Sequence, residues 1–170
     1  LGDSVSSDVD FSDYLNTAIG DCPTIDASFT IFMPVVLNNH VSAPDLVVVD
    51  VVVNGDDVMV IIANEGNRTA TDPFWVDLYI NPITPPTGIN QTWQTNGGEG
   101  LVWGIATPSL APGETMTLTL SSPTYSAEES NFSGTIAAGS TLYGQVDSAG
   151  LFAYGNVWEL NENNNIYGPL

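Results

Sequence analysis

The chain has 170 residues, 43% of them hydrophobic, which is enough to bury the core of one ordinary domain. Its 20 Asp and Glu residues face a single Arg or Lys, Arg68, and the formal net charge at pH 7 is −19. This balance excludes nucleic acid as a partner, because phosphate contacts need clustered basic residues. No apolar run approaches the roughly 20 residues that span a bilayer, so no membrane insertion is expected.

Residues 1–44 are predicted to form an acidic N-terminal arm. The opening LGDSVSSDVD has neither Met nor a basic start, as expected of a mature secreted chain whose leader has been removed. Cys22 is the only cysteine, so no intrachain disulfide can form. A reducing compartment and a secreted sandwich that needs no disulfide both remain open. A spare thiol or an intermolecular disulfide is expected of Cys22, since acidic neighbours disfavour a reactive thiolate.

The most apolar part of the arm is residues 28–37, SFTIFMPVVL, which is predicted to be a strand. One face of this strand carries five large apolar side chains: Phe29, Ile31, Met33, Val35 and Leu37. Their burial is worth about 1.5–3 kcal/mol each, so the strand needs a partner. It can join its own sandwich, or it can insert into a neighbouring copy by donor-strand exchange. Residues 38–44 are predicted to be a linker that gives the strand its reach.

Short alternating segments separated by turns fill residues 45–170. They predict an all-β, immunoglobulin-like antiparallel sandwich of about seven strands, to which the N-terminal extension adds an extra strand. The hairpin signal Asn54-Gly55-Asp56-Asp57 joins the first two. The predicted strands are residues 46–53, 58–63, 74–80, 101–105, 115–120, 141–146 and 156–160.

Several motifs in this region resemble the CARDB family, the cell-adhesion-related domain found in bacteria. They are the opening PDLVVVDVVVNGDD, the turn SLAPGE, GSTLYGQVDS and the closing ELNENNN. GEGLVWGI and FWVDLYINPITPPTGINQTW are similar to surface proteins of Chloroflexota-type bacteria. The resemblance covers about residues 45–165. It implies a sandwich fold, an extracellular location and an adhesive role, and it supplies no catalytic residues.

Catalysis is not expected. His40 is the only histidine and lies in the predicted linker, so a Ser-His-Asp site would need it to be held rigidly there. The many acids offer numerous carboxylate pairs for glycoside hydrolysis, but the sequence singles out none of them. No cofactor is expected, with Ca²⁺ as the one ion worth testing.

Acidic turns supply the oxygen ligands that Ca²⁺ prefers. The weak candidates are Asp56, Asp57, Asp147, Glu159 and Glu162, with the run Asn163–Asn165 as further oxygen donors. The alternative is a solvated acidic surface with Asn-rich turns. Asn67, Asn90 and Asn131 begin glycosylation sequons, at a frequency that chance explains. Trp75, Trp93, Trp103 and Trp158 could form a sugar-stacking platform, although core packing accounts for some of them.

The sequence therefore predicts an extracellular structural or adhesive subunit at the cell surface. Copies of the chain are expected to be its main partners, assembling a filament or layer by donor-strand exchange through residues 28–37. Glycans or other surface proteins are further partners. The alternative is a calcium- or carbohydrate-binding module of a larger surface protein.

Overall fold

Seven strands in two antiparallel sheets make up the fold of residues 41–170, the part of the chain that the computed structural model describes. The predicted strand 28–37, Cys22 and His40 lie outside the described residues. The elements in chain order are β1 (Leu46–Asn54), β2 (Asp57–Asn64), β3 (Phe74–Ile80), α1 (Trp93–Asn96), β4 (Glu99–Ile105), β5 (Thr115–Thr119), β6 (Leu142–Val146) and β7 (Ile166–Tyr167). Within these residues no helix is long and apolar enough to cross a membrane.

One sheet has the order β1-β2-β5 and the other β4-β3-β6-β7. The predicted β1–β2 hairpin is confirmed: Asn54 pairs with Asp57, and Gly55 takes a φ of 66° in the two-residue loop. A positive φ at the first loop position is the conformation that glycine adopts without a steric penalty. The predicted all-β sandwich of about seven strands is confirmed for the described residues.

The core lies between the two sheets and follows the period-two alternation of the strands. On β3, Phe74, Val76, Leu78 and Ile80 point inward. Trp103 of β4 is fully buried, and its Nε1–H donates to the Thr119 carbonyl at 2.8 Å. The alternate residues of β3, from Trp75 to Tyr79, face outward onto the surface of the four-stranded sheet.

The strand predicted at residues 156–160 is wrong. Alternation is present, since Val157 and Glu159 are buried while Trp158 and Leu160 are exposed. The main chain nevertheless pairs with no strand among the described residues. The Val157 N–H donates to the Asp147 carboxylate at 2.9 Å, and the Glu159 N–H donates to the Glu162 carboxylate at 2.9 Å. The seventh strand is instead β7, which pairs with β6.

Residues 41–44, assigned to the linker from sequence, are bonded to the sandwich. Ala43 is buried; its N–H donates to the Asn67 side chain at 3.1 Å, and its carbonyl accepts from the Asn67 N–H at 3.1 Å. The Pro44 carbonyl accepts from the Leu160 N–H at 2.9 Å. Residues 41–44 are therefore not part of a free linker, contrary to the prediction.

Candidate functional site

Four carboxyl groups gather where the start of β1, the end of β6 and the segment before β7 meet. We call this group, Asp45, Asp147, Glu159 and Glu162 together with the neighbouring Asn164 and Asn165, the acidic corner. Pairing of β6 with β7 brings the segment 159–165 back beside Asp147, and the Val146 N–H donates to the Asn165 carbonyl at 3.0 Å. The closing ELNENNN motif therefore supplies most of this corner.

Glu159 is a buried acid of the corner, with 4% of its surface exposed. The Leu46 N–H donates to its Oε2, and Asn165 Nδ2 donates to its Oε1 at 3.0 Å. Burial raises the pKa of this carboxyl to about 9; the Leu46 bond opposes that rise, and the charges of Asp147 and Glu162 add to it. Without a bound cation, Glu159 is therefore protonated at neutral pH.

Asp147 directly follows β6 and is fully buried. Its carboxylate accepts hydrogen bonds from the Asn156 and Val157 N–H groups. Burial raises its pKa to about 6 against the effect of these two bonds, and the charge of Glu162 contributes to the rise. Gly155 leaves room for the carboxylate, since a Cβ there would lie 2.1 Å from Asp147 Oδ2.

Three oxygen atoms of the corner are buried without a hydrogen-bond partner: Glu162 Oε2, Asn164 Oδ1 and Asn165 Oδ1. Only one other buried side-chain polar atom of the described residues, Thr124 Oγ1, shares this condition. An unpaired buried acceptor costs about 1–3 kcal/mol, so three in one seven-residue segment require an explanation. All three are hard oxygen acceptors, which a cation or a hydrogen-bond donor such as water can satisfy and a further acceptor cannot.

Burial also raises the pKa of Glu162, and the charge of Asp45 adds to this rise against the Glu159 hydrogen bond. Glu162 and Asn165 line a small cavity of about 80 Å³ beside β6 and the loop at Gly88. Within residues 41–170 no three His, Cys, Asp or Glu side chains are placed to hold a metal by themselves. A cation here would therefore need amide oxygens as well as carboxylates, a mixture that suits Ca²⁺.

Of the acids proposed from sequence, the structure gathers Asp147, Glu159 and Glu162 in this corner. Asp56 and Asp57 lie apart, in the exposed turn at the other end of β1. Nine residues of strand place that turn about 30 Å from the corner. Asn164 and Asn165 belong to the Asn-rich run that the sequence analysis had named, whereas the contribution of Asp45 was missed.

The three sequon asparagines are exposed, and each has a structural role. The side chain of Asn67 bonds the main chain of residues 41–43, that of Asn90 receives the Gly150 N–H at 2.7 Å, and that of Asn131 receives the Gly100 N–H at 2.8 Å. Each amide therefore fastens a loop. Nothing in this geometry requires a glycan.

A cleft lies on the outer face of the four-stranded sheet, and we call it the tryptophan cleft. Its volume is about 380 Å³, and its lining includes Trp75, Asp77, Thr92, Gln94, Val102 and Glu129. Two glycines of β4 make room for indole rings: a Cβ at Gly104 would lie 2.8 Å from Trp75, and one at Gly100 would lie 2.0 Å from Trp93. Trp75 remains 36% exposed, whereas Trp158 is an exposed residue away from this lining.

Asp77 lies at the base of the tryptophan cleft and is almost fully buried. Its carboxylate accepts from the Ser148 hydroxyl at 2.6 Å and from the Trp93 N–H at 2.9 Å. Burial raises its pKa to about 6, these two bonds oppose the rise, and the charge of Glu129 adds to it. Two outward residues of β3, Asp77 and Tyr79, are thus covered by loops, which sequence alternation alone does not predict.

Comparison with known proteins gives one similarity of fold. No family model matches the sequence, and no curated protein matches it. Among solved structures, the chain is similar to the CARDB domain of a Pyrococcus furiosus protein, crystallised in complex with di-metal ions. The two are 24% identical, with a TM-score of 0.42, over 74% of this chain and 89% of the other. That structure belongs to the family that the sequence motifs resemble.

Proposed function

We propose that this chain is a non-catalytic structural or adhesive sandwich of the cell surface, and that its acidic corner binds Ca²⁺. The single observation that carries the cation is the group of three unpaired buried oxygens beside Glu159 and Asp147. The whole chain has one basic residue for 20 acids, so it cannot neutralise these carboxylates itself. An external cation would satisfy the acceptors and the charge together.

Glu162, Asn164 and Asn165 would hold the ion through their unpaired oxygens. Asp147 and Glu159 would contribute charge from behind them, because their oxygens already receive hydrogen bonds from N–H groups. Extracellular modules bind Ca²⁺ with dissociation constants of about 10⁻⁴–10⁻³ M. A site of that strength suits a protein of the cell surface, where Ca²⁺ is plentiful. The alternative is that ordered water pairs the three oxygens while Glu159 stays protonated, which needs no metal.

The test is a thermal melt in millimolar Ca²⁺ and in NaCl of equal ionic strength, with the native chain and two variants. Glu162→Gln keeps a side-chain oxygen for the Glu159 N–H but loses the unpaired carboxylate oxygen. Glu128→Gln removes one exposed charge elsewhere and serves as the matched control. We expect a Ca²⁺-specific rise in Tm for the native chain and for Glu128→Gln, with little rise for Glu162→Gln. Equal rises in both salts would refute a specific site.

The second part of the proposal is that the chain self-assembles through residues 28–37. β5 pairs only with β2 among the described strands, so it ends the three-stranded sheet. Half-buried Met116 on β5 packs against the core at this edge. An added strand could extend the ladder there and cover Met116 with one apolar face. The described core is already filled by seven strands, which favours addition at an edge over replacement of a missing strand.

The assembly test compares two variants of the full chain by light scattering and electron microscopy. Ile31→Asp with Met33→Asp places carboxylates on the apolar face, whereas Thr30→Asp places one on the opposite face as the control. We expect the double variant to remain folded and monomeric while the native chain and the control assemble. Normal assembly of the double variant would reject this role, and its outright unfolding would place the strand in its own sandwich.

A further inference from the structure

We propose that the tryptophan cleft binds a neutral carbohydrate, with the ring of Trp75 as its stacking platform. The inference rests on the proposed adhesive role for its biological purpose only, since it names what the domain adheres to. Three observations carry it: a preformed cavity, an exposed indole beside it, and a set of polar groups that is rich in acceptors. None of these involves the acidic corner.

The cavity is of the right kind for a small ligand. Its volume of about 380 Å³ lies within the usual range for such sites. Its floor is the buried Val102, and one side is the half-exposed Trp75. A sugar ring presents C–H groups on one face and hydroxyls at its edge, so it can stack on an indole while its hydroxyls meet polar groups.

The polar groups of the cleft favour hydroxyl donors. Glu129 contributes a carboxylate, Gln94 an amide and Thr92 a hydroxyl. The Asp77 carboxylate adds negative charge at the base, although its two oxygens already accept hydrogen bonds from Ser148 and Trp93. No basic residue lines the cavity, and the chain carries a net charge of −19. Anionic glycans would meet two carboxylates without a cation between them, which costs binding energy by like-charge repulsion. The ligand that fits is therefore uncharged and rich in hydroxyl groups.

Both walls of the cleft are fixed before any ligand arrives. On one side, Asp77 accepts from the Trp93 N–H at 2.9 Å, and Trp93 Nε1 donates to the Glu129 carbonyl at 2.8 Å. On the other, the Ser126 N–H donates to the Val102 carbonyl at 2.9 Å. The Ser148 N–H donates to the Trp75 carbonyl at 3.2 Å. A rigid site loses less conformational entropy on binding, which favours a specific ligand.

The experiment is titration calorimetry of the full chain with neutral hexasaccharides: the hexamers of glucose, xylose, mannose and N-acetylglucosamine. A hexamer of galacturonic acid tests charge, and spermidine tests whether the acids instead select a cation. We expect saturable binding of at least one neutral oligosaccharide and none of the galacturonate. Trp75→Ala should weaken that binding about tenfold or more, the equivalent of about 1.4 kcal/mol. Trp158→Ala, which removes another exposed indole, should leave it unchanged.

A second variant tests the cleft in case Trp75→Ala fails to fold. Gln94 is exposed and its side chain makes one hydrogen bond, to the Glu129 carbonyl at 3.1 Å. Gln94→Ala should therefore keep the fold with little change in Tm and still weaken sugar binding. Absence of binding to every neutral hexamer, unchanged binding in Trp75→Ala, or binding of spermidine alone would overturn the proposal. Repeating the titration with and without Ca²⁺ separates the two sites. If the chain binds sugar but shows no Ca²⁺-specific rise in Tm, only the proposed Ca²⁺ site is rejected.

Discussion

The sharpest consequence of the acidic corner is that Ca²⁺ should remove most of the pH dependence of stability. Burial raises the pKa of Glu159 from 4.5 to about 9, so without a cation the folded state retains a proton that the unfolded chain releases. The unfolded state binds fewer protons than the folded state between these two pKa values. The free energy of unfolding therefore falls as pH rises through this window.

The size of this fall follows from the shift. Each pKa unit is worth 1.36 kcal/mol, so between pH 4.5 and pH 7 the contribution of Glu159 is about 3 kcal/mol. Asp147 adds a smaller fall between about pH 4 and pH 6, where its own pKa is raised. Because the two carboxyls interact, the pair will titrate in shared steps. A bound cation favours the ionised forms, so Ca²⁺ should remove most of this fall.

The assay is urea unfolding at a series of pH values between about 5 and 8, with a chelator or with millimolar Ca²⁺. Glu159→Gln removes the titrating group, and we expect it to flatten the chelator series and to lose the Ca²⁺ effect. Glu128→Gln retains the general repulsion of the acidic chain and controls for it. A pH slope in Glu159→Gln equal to that of the native chain would refute the reasoning.

Two further predictions concern buried polar contacts that hold the fold and the corner. Gly155→Ala should lower the free energy of unfolding by about 2 kcal/mol or more and weaken Ca²⁺ binding. The reason is that Gly155 has a φ of 92° and that the new Cβ would overlap Asp147. Urea unfolding and calcium titration measure the two effects. Asn64→Ala should cost about 3 kcal/mol, because the buried side chain makes four main-chain hydrogen bonds that fasten the turn after β2. The control Asn54→Ala, at an exposed site, should cost much less. A stability of Asn64→Ala within 1 kcal/mol of native would contradict the prediction.

Sequence patterns were sufficient for six strands because each shows strict alternation, a clear turn or a continuous apolar run. They failed at residues 156–160, where the same alternation occurs without a sheet. There the inward position of Glu159 serves the acidic corner and not a ladder. The true seventh strand, β7, has two residues, too few for any periodicity to be read.

The candidate sites were likewise only partly predictable from the sequence. The ELNENNN motif identified the segment of the acidic corner, but its union with Asp147 and Asp45 depends on the pairing of β6 with β7. Burial of Asp77 depends on loops that return across the outer face of the sheet. Long-range contacts of this kind leave no periodic trace in the sequence, so only the folded arrangement reveals them.

If Ca²⁺ replaces a proton in the acidic corner, its binding must release that proton into the buffer. Calcium titration calorimetry at about pH 7.5, in two buffers of different ionisation enthalpy, counts the protons released on binding. Because the pKa of Glu159 is raised to about 9, we predict saturable binding that releases about one proton, and no such release from Glu159→Gln. Absence of saturable heat, or a binding heat identical in both buffers, would contradict the account.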